Sequence, residues 1–185
     1  DITNDEYGGS YGDDKIFARD IDGDKADEII LQQIVGMTGG AGQYRSRIFK
    51  VVGDEIAEIF NSATGNIFDT GFIGVVKNGF KLEIKNKFNN YLNELDLSAE
   101  NQYIGVYFDI NGNATSNAEN EILCDSFREF VPEDIDNDGI FEIVCLQYVS
   151  LYGHSDYIGD AKSVLKFDFN KKEFIITEAE FIKSS

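Results

Sequence analysis

Asp134-Ile135-Asp136-Asn137-Asp138-Gly139-Ile140-Phe141-Glu142-Ile143 is an acidic loop that runs straight into a β-type segment. It decides the fold because the pattern occurs twice. Asp20-Ile21-Asp22-Gly23-Asp24-Lys25-Ala26-Asp27-Glu28-Ile29 lies on it residue for residue. Each loop is followed by a strand (29–34; 143–148), a glycine-bearing connection (36–43; 153–159) and a hairpin (44–60; 163–181). Two related units near 15–60 and 129–181 thus flank a middle section, 61–128, within one domain spanning 1–185. In that middle section, 72–97 supplies two more hairpin-like runs without an acidic loop.

The rest of the chain supports the same class. Ser46-Arg47-Ile48-Phe49-Lys50-Val51 and Lys81-Leu82-Glu83-Ile84-Lys85 alternate apolar and polar residues at period two, the pattern of half-buried strands. Gly53-Asp54, Asn78-Gly79, Asn89-Asn90, Asn111-Gly112 and Asn170-Lys171 punctuate the strands with residues that tolerate the left-handed turn conformation. Only 97–102 suggests a short helical turn. The expectation is an all-β domain of antiparallel three-stranded meanders, arranged as a partial β-propeller or as stacked sheets.

A formal charge of -18, from 34 acidic against 16 basic residues, disfavours nucleic acid and anionic lipid and favours cations. No apolar run is long enough to span a membrane or to be a retained signal peptide. The first residue, Asp1 rather than Met, fits removal of a leader or upstream segment, although cloning gives the same start. Cys124 and Cys145 are too few for a disulfide framework and lack CxxC spacing. Two buried free thiols are expected, with a cross-strand bridge as the alternative if their strands pair.

Calcium takes six to eight oxygen ligands, and a single segment supplies them best from carboxylates at alternate positions plus a backbone carbonyl. In the first loop the candidate ligands are Asp20, Asp22, Asp24, the Ala26 carbonyl and Glu28. In the second they are Asp134, Asp136, Asp138, the Ile140 carbonyl and Glu142. Both sets predict bound Ca²⁺, two sites in all, and magnesium fits less well because it demands octahedral geometry and keeps several waters. Gly139 suits the sharp bend of the second loop. The first has Lys25 at that place and Gly23 two positions earlier, which predicts a weaker or more strained site. An EF-hand is excluded by counting, since its twelfth position, a bidentate Glu, is Leu31 here in one copy and Cys145 in the other.

The pattern D-x-D-x-D-x-x-x-E followed by a hydrophobic strand resembles the calcium loops of FG-GAP and VCBS-type repeats, found in integrin-like propeller blades and many secreted bacterial proteins. The stretch from Pro132 to the final hairpin also resembles single-domain VCBS-related proteins of Gram-positive bacteria. The resemblance implies calcium at the carboxylates named above and an extracellular or cell-surface location. Glu at the closing position departs from the more usual Asp, and Asp27 is a substitute candidate in the first copy. Two loops are too few for a closed propeller.

Other signals carry less. Gly8-Gly9-Ser10-Tyr11-Gly12 matches a hydrolase nucleophile motif but lacks the preceding strand and following helix. The 36–43 segment lacks a P-loop lysine. Asn113-Ala114-Thr115 is a sequon that matters only in a eukaryotic secretory pathway. His154 suits a loop contact, and a dyad with either cysteine lacks an orienting partner. Tyr7, Tyr11, Tyr44, Tyr148, Tyr152 and Tyr157 gather in the N-terminal and loop regions, as at protein or carbohydrate contacts or simply as half-buried rings. The reading is a non-catalytic calcium-stabilised β module with a binding or structural role and a protein or carbohydrate ligand. One alternative is a hydrolase acting on carbohydrate through carboxylates in a calcium-ordered cleft; the other is a metal-independent binder with solvated acidic loops.

Overall fold

A computed structural model describes residues 14–36, 43–62, 68–115, 122–151 and 153–184. Among them the only helical segment is one 3₁₀ turn, Asn101–Tyr103, near the turn expected at 97–102. Everything else that is regular is strand. Among the described residues no helix is long and apolar enough to cross a membrane.

Three open antiparallel sheets follow one another along the chain. The first is a meander of β1 (Lys15–Arg19), β2 (Glu28–Gly36), β3 (Gln43–Val52) and β4 (Glu55–Asn61). The second contains β5 (Phe72–Lys77), β6 (Lys81–Asn86) and β7 (Leu92–Asp96), and the third β8 (Leu123–Glu133), β9 (Glu142–Ser150), β10 (Tyr157–Asp168) and β11 (Glu173–Lys183). The expected architecture of antiparallel meanders in an open, unclosed arrangement is present. The outer sheets each have a further strand because β1 and β8, which lead into the acidic loops, pair with β2 and β9. Each loop is therefore the hairpin connection between the first two strands of a four-stranded sheet.

The turn residues fall where their conformation requires. Gly53, Gly79 and Asn90 have positive φ at the β3–β4, β5–β6 and β6–β7 turns. The expected connection at 153–159 is shorter than the sequence suggests, since Tyr157, Ile158 and Gly159 already belong to β10. Gly159 serves close approach instead: a Cβ there would lie 2.3 Å from the Ile182 carbonyl oxygen on β11.

Packing makes β9 the spine. Ile143 and Cys145 face a cluster with Ile30, Ile48 and Phe60 of the first sheet. Four residues beyond Cys145 on the same side, Val149, with Leu151 after it, joins Phe72, Leu82 and Ile84 of the middle sheet, closed over by Tyr103, Tyr107 and Phe108. Between the clusters Gln147 is buried, accepting from the Thr70 hydroxyl and donating to the Asp125 carbonyl at 2.8 Å. Buried amides survive only when so satisfied. Phe60, Phe127, Phe130 and Phe174 form the aromatic contact between the outer sheets, with Phe60 and Phe130 stacked at 5.2 Å. A bond from the Gln32 side-chain amide to the Phe127 carbonyl, 2.8 Å long, ties β2 to β8 beside it.

Cys124 lies opposite Val149 and Cys145 opposite Phe130, so the paired strands hold the sulfurs far apart and both are free. Burial, with the Asp125 and Asp69 charges, pushes the Cys124 thiol up to about 12. Burial also raises Cys145 well above the ordinary thiol range.

Candidate functional site

The two acidic loops share one internal geometry. In the first, Asp20 accepts from the Gly23 and Lys25 N–H groups at 2.6 and 2.9 Å, Asp22 from Asp24 at 3.3 Å, and Asp24 from Ala26 at 2.8 Å. In the second, Asp134 accepts from Gly139 at 3.2 Å, Asp136 from Asp138 at 3.2 Å, and Asp138 from Ile140 at 2.7 Å. Each closing glutamate reaches back to the start of its loop, Glu28 to the Ile21 N–H at 3.0 Å and Glu142 to the Ile135 N–H at 3.3 Å. Aspartates bond to backbone N–H groups two residues on because their short side chains make Asx turns, and a run of such turns curls the chain into a tight loop.

Tight curling requires left-handed residues, and both loops place them alike. Gly23 and Lys25 have φ of 74° and 71°, and Asn137 and Gly139 have φ of 61° and 86°. Each loop thus has glycine at one of its two left-handed positions, and the first forces Lys25 into the conformation that Gly139 adopts freely.

The loops lie side by side. The Phe141 N–H of the second donates to the Asp20 carbonyl of the first at 2.8 Å, and the Arg19 guanidinium sits 5.2 Å from the centre of the Phe141 ring. A Cβ on Gly23 would lie 2.8 Å from Ile140 Cδ1, so the loops touch at this glycine.

Of the predicted ligands, one oxygen from each of Asp20, Asp22 and Glu28 lies within 4.8 Å of the others, as does one from each of Asp134, Asp136 and Asp138. Asp24 and Glu142 fall outside these groups, and Asp27 is exposed and in neither. Ala26 and Ile140 occupy matching places, held by Asp24 and Asp138. Glu28 and Glu142 are only 1% and 4% exposed, unusual for carboxylates without counter-ions.

The counter-ions are two lysines that reading along the chain does not reveal. Lys50 Nζ touches Asp22, lies 2.7 Å from Asp24 and 3.3 Å from Glu28. Lys166 Nζ lies 2.6 Å from Glu142 and 3.4 Å from Asp136. Burial works against the Lys50 charge, but hydrogen bonds to Asp22 and Asp24 and the Glu28 charge outweigh it and hold the ammonium above its ordinary range. Lys166 is raised by its bond to Glu142. Burial raises Glu28, whereas the Lys50 bond lowers Asp24. The recoverable signal is the strand pattern Phe49-Lys50-Val51 and Leu165-Lys166-Phe167, which register sets beside Glu28 and Glu142.

The donor set suits a hard cation. Every ligand is oxygen, each aspartate has at least one oxygen fixed by a backbone N–H, and Asp134 Oδ1 is buried without a hydrogen-bond partner. A buried carboxylate oxygen with no partner carries the full desolvation penalty unless a cation meets it.

The remaining candidates are elsewhere. His154 Nδ1 lies 3.0 Å from an Asp125 carboxylate oxygen. The Tyr148 and Tyr157 rings pack at a tilt of 33° with centroids 4.5 Å apart, and Tyr157 donates to Asp160 at 2.7 Å. Gly8–Gly12, Tyr7, Tyr11, Tyr152 and 37–42 lie outside the described residues.

The model of one protein family, described as the YybI C-terminal domain, matches residues 71–182, more than half of the chain. The chain belongs to the YybI C-terminal domain family. No curated protein and no solved structure matches it. The YybI C-terminal match takes in the middle sheet and β8–β11, so the 134–142 loop falls inside it and the 20–28 loop outside.

Proposed function

We propose that this YybI C-terminal domain protein binds calcium at both acidic loops, and that calcium stabilises the β scaffold instead of activating water. The observation that carries the proposal is the repeated loop: matching Asx-turn hydrogen bonds and matching left-handed positions gather three carboxylates in each copy, and Asp134 Oδ1 is left buried without a partner. Asp20, Asp22, Asp24 and Glu28 would hold one ion with the Ala26 carbonyl, and Asp134, Asp136, Asp138 and Glu142 the other with the Ile140 carbonyl. When bound, calcium supplies two positive charges against each group of carboxylates and links the start of the loop to the strand after it. The likeness to FG-GAP and VCBS loops belongs to this proposal, as do a non-catalytic role, a secreted or cell-surface location in a Gram-positive bacterium, and a protein or carbohydrate ligand. The tilted Tyr148–Tyr157 pair beside Asp160 would offer such a ligand an aromatic contact.

Thermal unfolding in excess EDTA and then in calcium or magnesium tests the reading. At a calcium concentration of 100 Kd, one site adds about 2.7 kcal/mol, which for a protein of this size raises the Tm by roughly 5–11 °C. Magnesium should give a smaller shift. A second reading, acidic turns neutralised by their own lysines and binding no metal, is favoured by the contacts of Lys50. Identical melting with and without calcium would support it and refute the first.

A further inference from the structure

We infer that Lys50 and Lys166 are the resident cations of the two loops, that calcium enters each loop by displacing the ammonium from the closing glutamate, and that Lys50 makes the 20–28 loop the weaker site. The inference rests on the proposed calcium binding.

Strand register is its first support. Ile29 faces Phe49 and Ile143 faces Leu165, so the next position of each pair sets Lys50 beside Glu28 and Lys166 beside Glu142. The two lysines are therefore equivalent in the repeat, and a surface ion pair formed by chance would have no reason to recur there. Burial is the second support. Glu28 and Glu142 are almost fully buried, and such carboxylates need a partner whether or not a metal is bound. A lysine on the neighbouring strand meets that need with one charge and three donors.

An ammonium and a calcium ion compete for the same group of carboxylates, because their like charges repel at that distance. Calcium brings twice the charge and takes more oxygens, so its entry must push the flexible lysine stem aside. The loops differ in how much must be undone. In the first, both oxygens of Asp20 accept backbone N–H groups, while Lys50 contacts Asp22, Asp24 and Glu28. In the second, Lys166 reaches only Glu142 and Asp136, and Asp134 Oδ1 has no partner. Calcium entering the second loop meets an oxygen already available, and entering the first it must break three lysine contacts.

The test has two arms. In the unaltered protein, lysine acylation read by mass spectrometry should label Lys50 several-fold faster in saturating calcium than in EDTA, with exposed Lys171 as the unchanging reference. In an Asp136→Ala background, which leaves the first loop to be titrated alone, Lys50→Met should raise calcium affinity about tenfold, corresponding to a single displaced interaction of ordinary strength. The same variant should melt at a lower temperature than its parent in EDTA. Calcium binding with unchanged Lys50 labelling, or with equal or weaker affinity in Lys50→Met, overturns the exchange and leaves the calcium reading standing. No calcium binding in any variant overturns both.

Discussion

Lys25→Gly should relax the first acidic loop, and the repeat supplies the reason. Lys25 has φ of 71° at the place where the second loop has Gly139 at 86°. A non-glycine residue held left-handed costs about 1–2 kcal/mol, and glycine gives back roughly 0.5–1 kcal/mol through its larger unfolded-state entropy. The net gain is about 0.5–1 kcal/mol, or a Tm higher by roughly 1–4 °C. Replacing Lys25 also removes a positive charge beside carboxylates, so the proper comparison is Lys25→Ala, which loses the charge and keeps the strain. Thermal unfolding of both variants by circular dichroism in EDTA measures the difference. Gly139→Ala should cost the same amount, because nothing lies within 4 Å of a Cβ placed there and only the backbone term applies. Gly23→Asn should cost more even though Asn137 stands at the matching place, because its Cβ would lie 2.8 Å from Ile140 Cδ1. The reasoning is refuted if Lys25→Gly is no more stable than Lys25→Ala, or if Gly139→Ala is neutral.

Further outcomes follow from the packing and the ionisable groups. Phe130→Ala empties a fully buried site stacked on Phe60 and should cost about 3–5 kcal/mol in urea unfolding; a loss under about 1 kcal/mol would mean that the outer sheets do not share this core. Thiol titration of the native protein with an aromatic disulfide should leave the buried Cys145 unreactive and the half-buried Cys124 slow, with both reacting on denaturation; a fast native Cys145 would contradict its burial. Stability should fall as pH rises above the ordinary tyrosine and lysine range. Tyr157, by burial and its bond to Asp160, is pushed up to about 12, and Lys50 and Lys166 are also raised, so the native state keeps protons that the unfolded chain has released. Urea midpoints that stay level across that range would refute the sign.

Much of this architecture is legible in the chain because its causes are local. Lys81 to Lys85 alternate half-buried and buried positions just as their sequence alternates polar and apolar residues. Gly53, Gly79 and Asn90 take positive φ where they separate strands. The acidic loops are legible for the same reason, since Asx turns connect residues two apart. What sequence spacing does not show is set by distant partners. Gly159 looks like a turn residue and is instead where β11 crosses close to β10. Lys50 and Lys166 look like ordinary exposed strand positions, and only cross-strand register brings them to Glu28 and Glu142. The contact between the two loops, through Phe141 N–H and the Asp20 carbonyl, depends on how the outer sheets pack.

Calcium retained per chain, measured by equilibrium dialysis at saturating free calcium after chelation, tests the central claim most directly. The account predicts two ions in the unaltered protein and one in each of Asp22→Ala and Asp136→Ala, with little competition from magnesium. Retention of no calcium, or of the same amount in the protein and both variants, would contradict it.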